Sequence, residues 1–181
     1  MEVIETPIDG LKLIKPAVHN DERGYFFEAF NLLKLKQIGI DEKFVQENQA
    51  FSKKGVLRGL HYQTAPFLQG KLVRAVYGEI LDVAVDIRFN SPTYGKHYKT
   101  VLSHENNHFL WIPPGFAHGA LTISEISLMA YYCTNYYAPD YRKSIVYNDE
   151  QLMIAWELKY LILTDDDIKA PRLCDIEPLI I

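Results

Sequence analysis

Period-two alternation within residues 71–88 is the feature that most narrows the folds open to this chain. From residue 81 to residue 87 every second side chain is a branched aliphatic one, as in a β-strand with one apolar face. Tyr77-Gly78-Glu79 predicts a hairpin turn before that strand. Further strands, separated by short polar or Gly/Pro segments, are predicted at residues 44–49, 56–63, 98–102, 109–112 and 127–137. The chain is therefore expected to be mostly β.

Helices are expected to be few and short. One is predicted at residues 32–38, where Asn31 can cap the first turn and Gly39 can end the last, and another at residues 150–155. Many short strands favour a sandwich or a barrel, because these architectures leave few open sheet edges. Twelve tyrosines and six histidines favour a jelly-roll barrel with a lined pocket. An immunoglobulin-like sandwich is the alternative.

Length and composition limit the classes of function. With 181 residues, of which 48% are apolar, the chain is expected to form one domain over residues 1–181. A formal net charge of −4 leaves no basic excess for nucleic-acid binding. The acidic N-terminus and the lack of a long apolar run predict a cytoplasmic protein with no membrane partner. Cys133 and Cys174 form no CxxC pair and are expected to be reduced thiols.

Two histidine motifs resemble metal sites, but neither meets the requirements for binding a metal. Residues 104–108 read HENNH and so match HExxH, which binds zinc only on a helix. Strand-like flanks and two asparagines predict a polar turn there instead. Residues 113–118, PPGFAH, match PxGxxH, which is half of the metal pattern of cupin jelly rolls. The other half requires HxH where this chain has His61-Tyr62-Gln63, so neither a metal nor a cofactor is predicted.

Side chains suited to acid–base chemistry lie on several predicted strands. Strand alternation predicts Arg58 and His61 on opposite faces of one strand. Lys71 begins the next strand region, while Tyr131 and Tyr137 share one face of a later strand. A base, an acid and a cation, without a nucleophile-elbow serine or cysteine, fit proton abstraction beside a carbonyl group.

Seven motifs, in order along the chain, resemble the dTDP-4-dehydrorhamnose 3,5-epimerase family. They are DERGYFFE at 21–28, FVQEN at 44–48, VLRGLHYQ at 56–63, QGKLVR at 69–74, DVAVDIR at 82–88, WIPPGFAHG at 111–119 and TNYY at 134–137. The resemblance implies a metal-free cupin, usually a homodimer, that inverts C3 and C5 of a nucleotide-linked 4-keto-6-deoxy sugar. The implied reaction converts dTDP-4-dehydro-6-deoxyglucose to dTDP-4-dehydrorhamnose through an enolate, without a cofactor.

The same resemblance implies a role for each matching residue. His61 is expected to remove protons next to the C4 ketone, and Tyr131 to return them from the opposite face of the sugar. Lys71 is expected to stabilise the enolate oxygen. The carboxylate that fixes the tautomer of His61 aligns best with Asp167, and the alternatives are Asp82 and Asp86. The implied substrate contacts are Arg23, Glu28, Gln46, Asn48, Arg58, His118 and, stacked on the nucleotide base, Tyr137.

Two charges depart from the family pattern. Arg142 stands near the position of a substrate-contacting glutamate, and Asp166 stands where a lysine usually precedes the C-terminal aspartate. One interpretation is that the two have exchanged partners across the pocket, which leaves the local charge unchanged. If they contact the substrate separately, the nucleotide or sugar differs. The open alternatives are a C3-only or C5-only epimerase, an epimerase of a GDP-linked 4-keto-heptose, a non-catalytic sugar-nucleotide binder and a metal-dependent cupin.

Overall fold

Strands dominate the computed structural model, which describes residues 1–181. The first seven are β1 (Glu2–Glu5), β2 (Lys12–Lys15), β3 (His19–Asp21), β4 (Gly24–Phe26), β5 (Gln46–Lys53), β6 (Leu57–Gln63) and β7 (Lys71–Tyr77). The other six are β8 (Glu79–Asp86), β9 (His97–Ser103), β10 (Phe109–Ile112), β11 (Phe116–Thr122), β12 (Ile126–Cys133) and β13 (Arg142–Ser144). The helices are α1 (Leu32–Gln37), α2 (Asp165–Ile168) and two 3₁₀ helices, Pro139–Tyr141 and Leu173–Asp175.

Two large antiparallel sheets face each other as in a jelly roll. The six-stranded sheet has the order β1-β2-β10-β7-β12-β5, and the five-stranded sheet has the order β13-β6-β11-β8-β9. Strands β3 and β4 form a separate hairpin that belongs to neither. The mostly β architecture predicted from the alternation is therefore confirmed, and strand β10 has the predicted bounds.

Three apolar clusters hold these layers together. Side chains from both sheets, among them Val73, Ile80 and Phe116, fill the space between the sheets. The outer face of the five-stranded sheet packs against the C-terminal region through Trp156, and the outer face of the six-stranded sheet packs against Leu35 of α1. Full burial of such a side chain contributes about 1.5–3 kcal/mol. Both sheets are thus anchored on their outer faces, and polar side chains can line part of the interior.

Strand β8 shows how this layering uses alternate positions. Leu81, Val83 and Val85 pack outward against the C-terminal region, as their spacing predicts. The other face is buried as well, because it points between the sheets, and it carries Asp82 and Asp86. Asp86 accepts hydrogen bonds from Arg88, Ser91 and Thr93, which fix the loop after the strand.

The predicted hairpin at Gly78 is wrong. Strand β7 pairs with β10 and β12, whereas β8 pairs with β9 and β11, so the turn crosses from one sheet to the other. Gly78 has a φ of +73°, and a Cβ atom there would lie 2.1 Å from the carbonyl oxygen of Ile126. The local sequence indicates a tight turn, but strand pairing depends on partners that are distant in the chain.

Of the two predicted helices, only the first is correct. Asn31 caps α1 by accepting hydrogen bonds from Leu33 N and Lys34 N. Residues 150–152 form a turn and residues 153–155 have no regular structure, because the buried carboxylate of Asp149 accepts hydrogen bonds from the backbone N–H groups of Gln151 and Leu152. No helix in the structure has the length and apolar character needed to span a membrane.

Candidate active site

A cavity of about 640 Å³ opens between the two large sheets. Its size is that of a typical small-molecule site. Both sheets supply its polar lining, together with the segment after β12 and helix α2. Of the residues singled out from the sequence, the cavity is lined by Gln46, Asn48, Arg58, His61, Lys71, His118, Tyr131, Tyr137, Arg142 and Asp167.

Arg58 and His61 both line this cavity, although strand alternation predicts them on opposite faces of β6. The reason is a β-bulge, in which Gly59 and Leu60 together oppose Gly119 of β11. The extra residue reverses the alternation. Gly59 has a φ of +141°, and a Cβ atom there would lie 2.5 Å from the Cα atom of Gly119. The predicted separation of Arg58 from His61 is therefore wrong, and Gly59 makes the correct arrangement possible.

His61 forms a pair with Asp167. Its Nε2 atom lies 2.6 Å from Asp167 Oδ1, and the aspartate side chain is only 4% exposed. Helix α2 holds Asp167 in place, because Thr164 caps the helix and accepts a hydrogen bond from the backbone N–H of Asp167. Of the three aspartates that the sequence leaves open, Asp167 is the one that contacts His61.

Burial and neighbouring charges set the protonation of this pair. Burial lowers the pKa of His61 below its ordinary value, and the charges of Arg142 and Lys71 lower it further, whereas Asp167 opposes the change. Burial alone would raise the pKa of Asp167, but hydrogen bonds from His61 and Thr164 outweigh it and lower that pKa. Near neutral pH the pair is therefore a neutral imidazole beside a carboxylate.

Lys71 and Tyr131 lie on the wall opposite His61. They belong to β7 and β12 of the six-stranded sheet, whereas His61 belongs to the five-stranded sheet. Lys71 Nζ lies 6.0 Å from the centre of the Tyr131 ring and forms no ion pair. Burial lowers the pKa of Lys71, although Cys133 and Asp82 partly oppose this, and burial raises the pKa of Tyr131. Burial raises the pKa of the Cys133 thiol to about 11, so Cys133 is neutral beside them.

A second histidine–aspartate pair borders the cavity through His118. His118 Nε2 is 2.9 Å from Asp82 Oδ2, and both residues are buried. The other carboxylate oxygen, Asp82 Oδ1, is buried without a hydrogen-bond partner. The sequence prediction weighed Asp82 only as a partner of His61 and missed this pairing. The alternation in β8, which turns Asp82 away from the aliphatic face, is the signal that could have revealed it.

Amide side chains fix the rim of the cavity. Gln46 donates to Asn48 Oδ1 at 2.9 Å and accepts from the backbone N–H of Tyr137 at 2.9 Å. Gln63 accepts from Ala138 N at 2.8 Å and donates to two carbonyl oxygens nearby. These bonds hold the segment that carries Tyr137, whose ring is half exposed at the cavity mouth. Gln63, which stands where a metal-binding cupin would have histidine, is thus engaged with the backbone.

Arg142 contacts the His61–Asp167 pair. Its Nη2 atom lies 2.8 Å from His61 Nε2 and 3.5 Å from Asp167 Oδ1. Asp166 is exposed and forms no ion pair with Arg142. The interpretation of Arg142 and Asp166 as a pair that exchanged partners is therefore wrong, because adjacent positions on α2 point one carboxylate inward and the other to solvent.

Arg23 and Glu28 lie outside the cavity of their own chain. Arg23 is in the loop between β3 and β4, where its guanidinium is bonded to Asp21. Glu28 follows β4 and lies 2.9 Å from Lys34 of α1. The structure does not bring either residue together with the other predicted substrate contacts.

The HExxH motif forms a turn, as predicted. Residues 104–108 connect β9 to β10, with the turn at residues 104–106, and His104 Nδ1 lies 3.2 Å from the carbonyl oxygen of Gly78. The imidazoles of His104 and His108 therefore do not share a helix face. No group of three or more His, Cys, Asp or Glu side chains is arranged to hold a metal ion.

Comparison with known proteins identifies the family. Residues 5–175 match the family model described as dTDP-4-dehydrorhamnose 3,5-epimerase. The enzyme of that name from Salmonella typhimurium is 49% identical over 175 residues, which cover 96% of each chain. A crystal structure of dTDP-6-deoxy-D-glucose-3,5-epimerase from Legionella pneumophila, in complex with dTDP-4-keto-L-rhamnose, is 47% identical. It superposes with a TM-score of 0.94, and the match covers 97% of this chain and 94% of that chain.

A related enzyme with a narrower activity has a similar fold. The 3′-monoepimerase from Streptomyces bikiniensis, in complex with dTDP-quinovose, is 34% identical and superposes with a TM-score of 0.88. That match covers 93% of this chain and 86% of that chain. These similarities confirm the jelly-roll fold and the resemblance inferred from the seven motifs. The chain belongs to the dTDP-4-dehydrorhamnose 3,5-epimerase family.

Proposed function

We propose that this chain inverts C3 and C5 of dTDP-4-dehydro-6-deoxyglucose and so produces dTDP-4-dehydrorhamnose. One observation carries the proposal: a single cavity has the His61–Asp167 pair on one wall and Lys71 with Tyr131 on the facing wall. A base and an acid on facing walls suit inversion, because a proton removed from one face of the sugar must be returned to the other. Membership of the family supports the same reaction.

In this mechanism His61 removes the proton next to the C4 ketone. When His61 Nε2–H donates to Asp167, the lone pair on the other ring nitrogen is free to accept a proton. The imidazolium that forms is stabilised by the adjacent carboxylate. Since the low pKa of Asp167 keeps that carboxylate ionised, the pair starts each cycle ready to accept one proton.

Lys71 and Tyr131 complete the reaction from the opposite wall. A proton beside a ketone is far less acidic than an imidazolium, so the enolate oxygen needs a positive charge close by. Lys71 has no carboxylate partner and is therefore free to bind that oxygen. The raised pKa of Tyr131 keeps its phenol protonated at neutral pH, as a proton donor requires.

The nucleotide is bound by the outer part of the cavity. Arg58 has a planar guanidinium suited to a diphosphate, and Tyr137 presents a half-exposed ring on which a base can stack. Gln46 and Asn48 line the cavity with amides from the six-stranded sheet, while His118 lines it from the five-stranded sheet. The substrate is thus a nucleotide-linked sugar, with the sugar at the deep end.

Proton NMR in deuterium oxide tests the reaction. With dTDP-4-dehydro-6-deoxyglucose and purified protein, the C3 and C5 proton signals are expected to disappear at equal final extent, with and without a chelator. Loss of one signal alone would identify a single-site epimerase like the Streptomyces bikiniensis enzyme. Binding of the nucleotide sugar without any exchange would contradict the proposal and leave a non-catalytic binder. Exchange only with a GDP-linked 4-keto-heptose would change the substrate, and exchange that a chelator abolishes would indicate a metal-dependent cupin.

The active form is proposed to be a homodimer in which each chain completes the site of the other. Arg23 and Glu28 match family substrate contacts, yet both lie away from the cavity of their own chain. The β3–β4 hairpin that carries Arg23 stands free of both sheets, and Phe26 on it is 72% exposed. Strand β5, next to the cavity, is an open sheet edge. A second chain whose hairpin reaches this edge would account for all of these features.

Mixing two inactive variants distinguishes the homodimer from a self-sufficient monomer. Arg23→Ala and His61→Ala are each expected to be inactive alone. After joint unfolding and refolding at equal amounts, half of the dimers are mixed, and each has one intact site, so roughly a quarter of wild-type activity should return. Arg23→Ala mixed with Glu28→Ala is the control and should recover nothing if both residues serve the same partner site. No recovery in the first mixture would show that His61 and Arg23 act within one chain.

A further inference from the structure

The guanidinium of Arg142 lies beside the catalytic pair but has no role in the reaction proposed above. It lies on β13, which is the edge strand paired with β6, and its Nη2 atom approaches both members of the His61–Asp167 pair. The Arg142 side chain is 30% exposed, so it borders solvent on one side and the dyad on the other. The nearest comparable cation on the strand, Lys143, is exposed and does not line the cavity.

Two contacts of His61 compete for one atom. His61 Nε2 is within hydrogen-bond distance of both Asp167 Oδ1 and Arg142 Nη2. If Nε2 carries a proton it donates to Asp167, and if it has a lone pair it accepts from Arg142, but a neutral ring cannot do both. Only the first tautomer leaves a lone pair on Nδ1. The base on Nδ1 therefore requires Nε2–H to donate to Asp167, and in that tautomer Arg142 acts on the pair through its charge rather than by donating to His61.

We propose that Arg142 is a positioning residue that keeps the His61–Asp167 pair in the form of a neutral imidazole beside an ionised carboxylate. This inference deepens the proposed function and rests on it for the role of His61 as the base. The permanent positive charge of Arg142 stabilises the ionised form of Asp167, which burial alone would disfavour. The same charge disfavours the imidazolium, so His61 stays deprotonated at lower pH and releases its proton more readily after each abstraction.

Other charged groups around His61 do not replace Arg142 in this role. Lys71 faces it from β7 and also disfavours the imidazolium, but Lys71 makes no contact with Asp167. His118 of β11 is the cross-strand neighbour of His61, and it forms a hydrogen bond with Asp82. Tyr131 and Arg58 also line the cavity, from β12 and β6. Arg142 is the one group that contacts both members of the pair.

Histidine titration by NMR in the substrate-free protein tests the inference without using catalysis. The His61 signal is assigned by its loss in His61→Asn. In Arg142→Gln the midpoint of His61 is expected to rise by about one pH unit, because a cation within hydrogen-bond distance has been removed. Arg142→Lys keeps the charge and should restore most of the wild-type midpoint. Lys143→Gln removes the same charge from the neighbouring position and should leave the midpoint unchanged.

The pH profile of deuterium exchange gives the second readout. The acidic limb of kcat/KM reports the free-enzyme base, so it should move to higher pH in Arg142→Gln by as much as the NMR midpoint. An unchanged His61 midpoint in Arg142→Gln, or an equal change in Lys143→Gln, would overturn the inference. If the midpoint rises but the wild-type protein exchanges no substrate proton, the role of Arg142 stands and the proposed function fails.

Discussion

Replacing His61 with alanine is expected to lower the rate of deuterium exchange at both C3 and C5 by about 10³-fold or more, because the same base serves both carbons. The fold should survive the change. Asp167 loses its 2.6 Å partner, but Arg142 lies 3.5 Å away and still neutralises the buried carboxylate. Proton NMR in deuterium oxide measures the exchange, and thermal unfolding shows that the variant is folded.

Two further variants make this result specific. His61→Asn keeps a polar side chain of similar shape and is expected to lose the same activity, which separates loss of the base from loss of packing. Tyr131→Phe keeps His61 and removes only the hydroxyl on the opposite wall, so proton exchange should continue while inversion is impaired. If His61→Ala retains exchange at either carbon, a second base acts there. If Tyr131→Phe inverts the sugar as fast as it exchanges protons, Tyr131 is not the acid.

The regular parts of the fold could be predicted because alternation reports burial directly. The outward face of β8 follows from Leu81, Val83 and Val85 alone, since a two-residue period has only two faces. The cap of α1 at Asn31 is likewise a local interaction between one side chain and the next turn. Alternation alone does not indicate a family. The resemblance to the family rested on seven sequence motifs in the same order along the chain.

The incorrect predictions concern positions where the local structure depends on contacts with distant parts of the chain. Arg58 and His61 share the cavity because a bulge forms against Gly119, which lies some sixty residues away in the chain. The turn at Gly78 crosses between sheets because β7 and β8 find different partners. Arg142 was singled out by its charge, but its contact with His61 depends on the pairing of β13 with β6. Residue type revealed the chemistry of the site, and strand pairing determined which residues meet.

Replacing Lys71 with methionine is expected to slow exchange at both carbons by about 10²- to 10³-fold, as loss of one donor to a developing oxyanion does in comparable sites. Methionine has similar length and suits a buried position, so the variant should unfold at a temperature no lower than that of the wild type. Lys71 forms no ion pair, and Asp82, the buried carboxylate whose charge acts on it, keeps its 2.9 Å contact with His118 when Lys71 is removed. Activity within a few-fold of wild type in a folded Lys71→Met protein would rule out Lys71 as the enolate stabiliser.

The alkaline limb of the pH profile gives an independent check on the same residue. Burial lowers the pKa of Lys71, so Lys71 loses its proton at a lower pH than an exposed lysine does, whereas burial raises the pKa of Tyr131. A cation is needed at the enolate oxygen, and the wild-type rate should therefore fall as pH rises through the lowered pKa of Lys71. In Lys71→Met this limb should move to higher pH, because the lysine is absent and the groups that remain beside it, Cys133 and Tyr131, both have raised pKa values. Lys71→Arg should retain part of the activity and also extend it to higher pH, since a guanidinium stays protonated there. An alkaline limb that is unchanged in both variants would mean that a different group sets it.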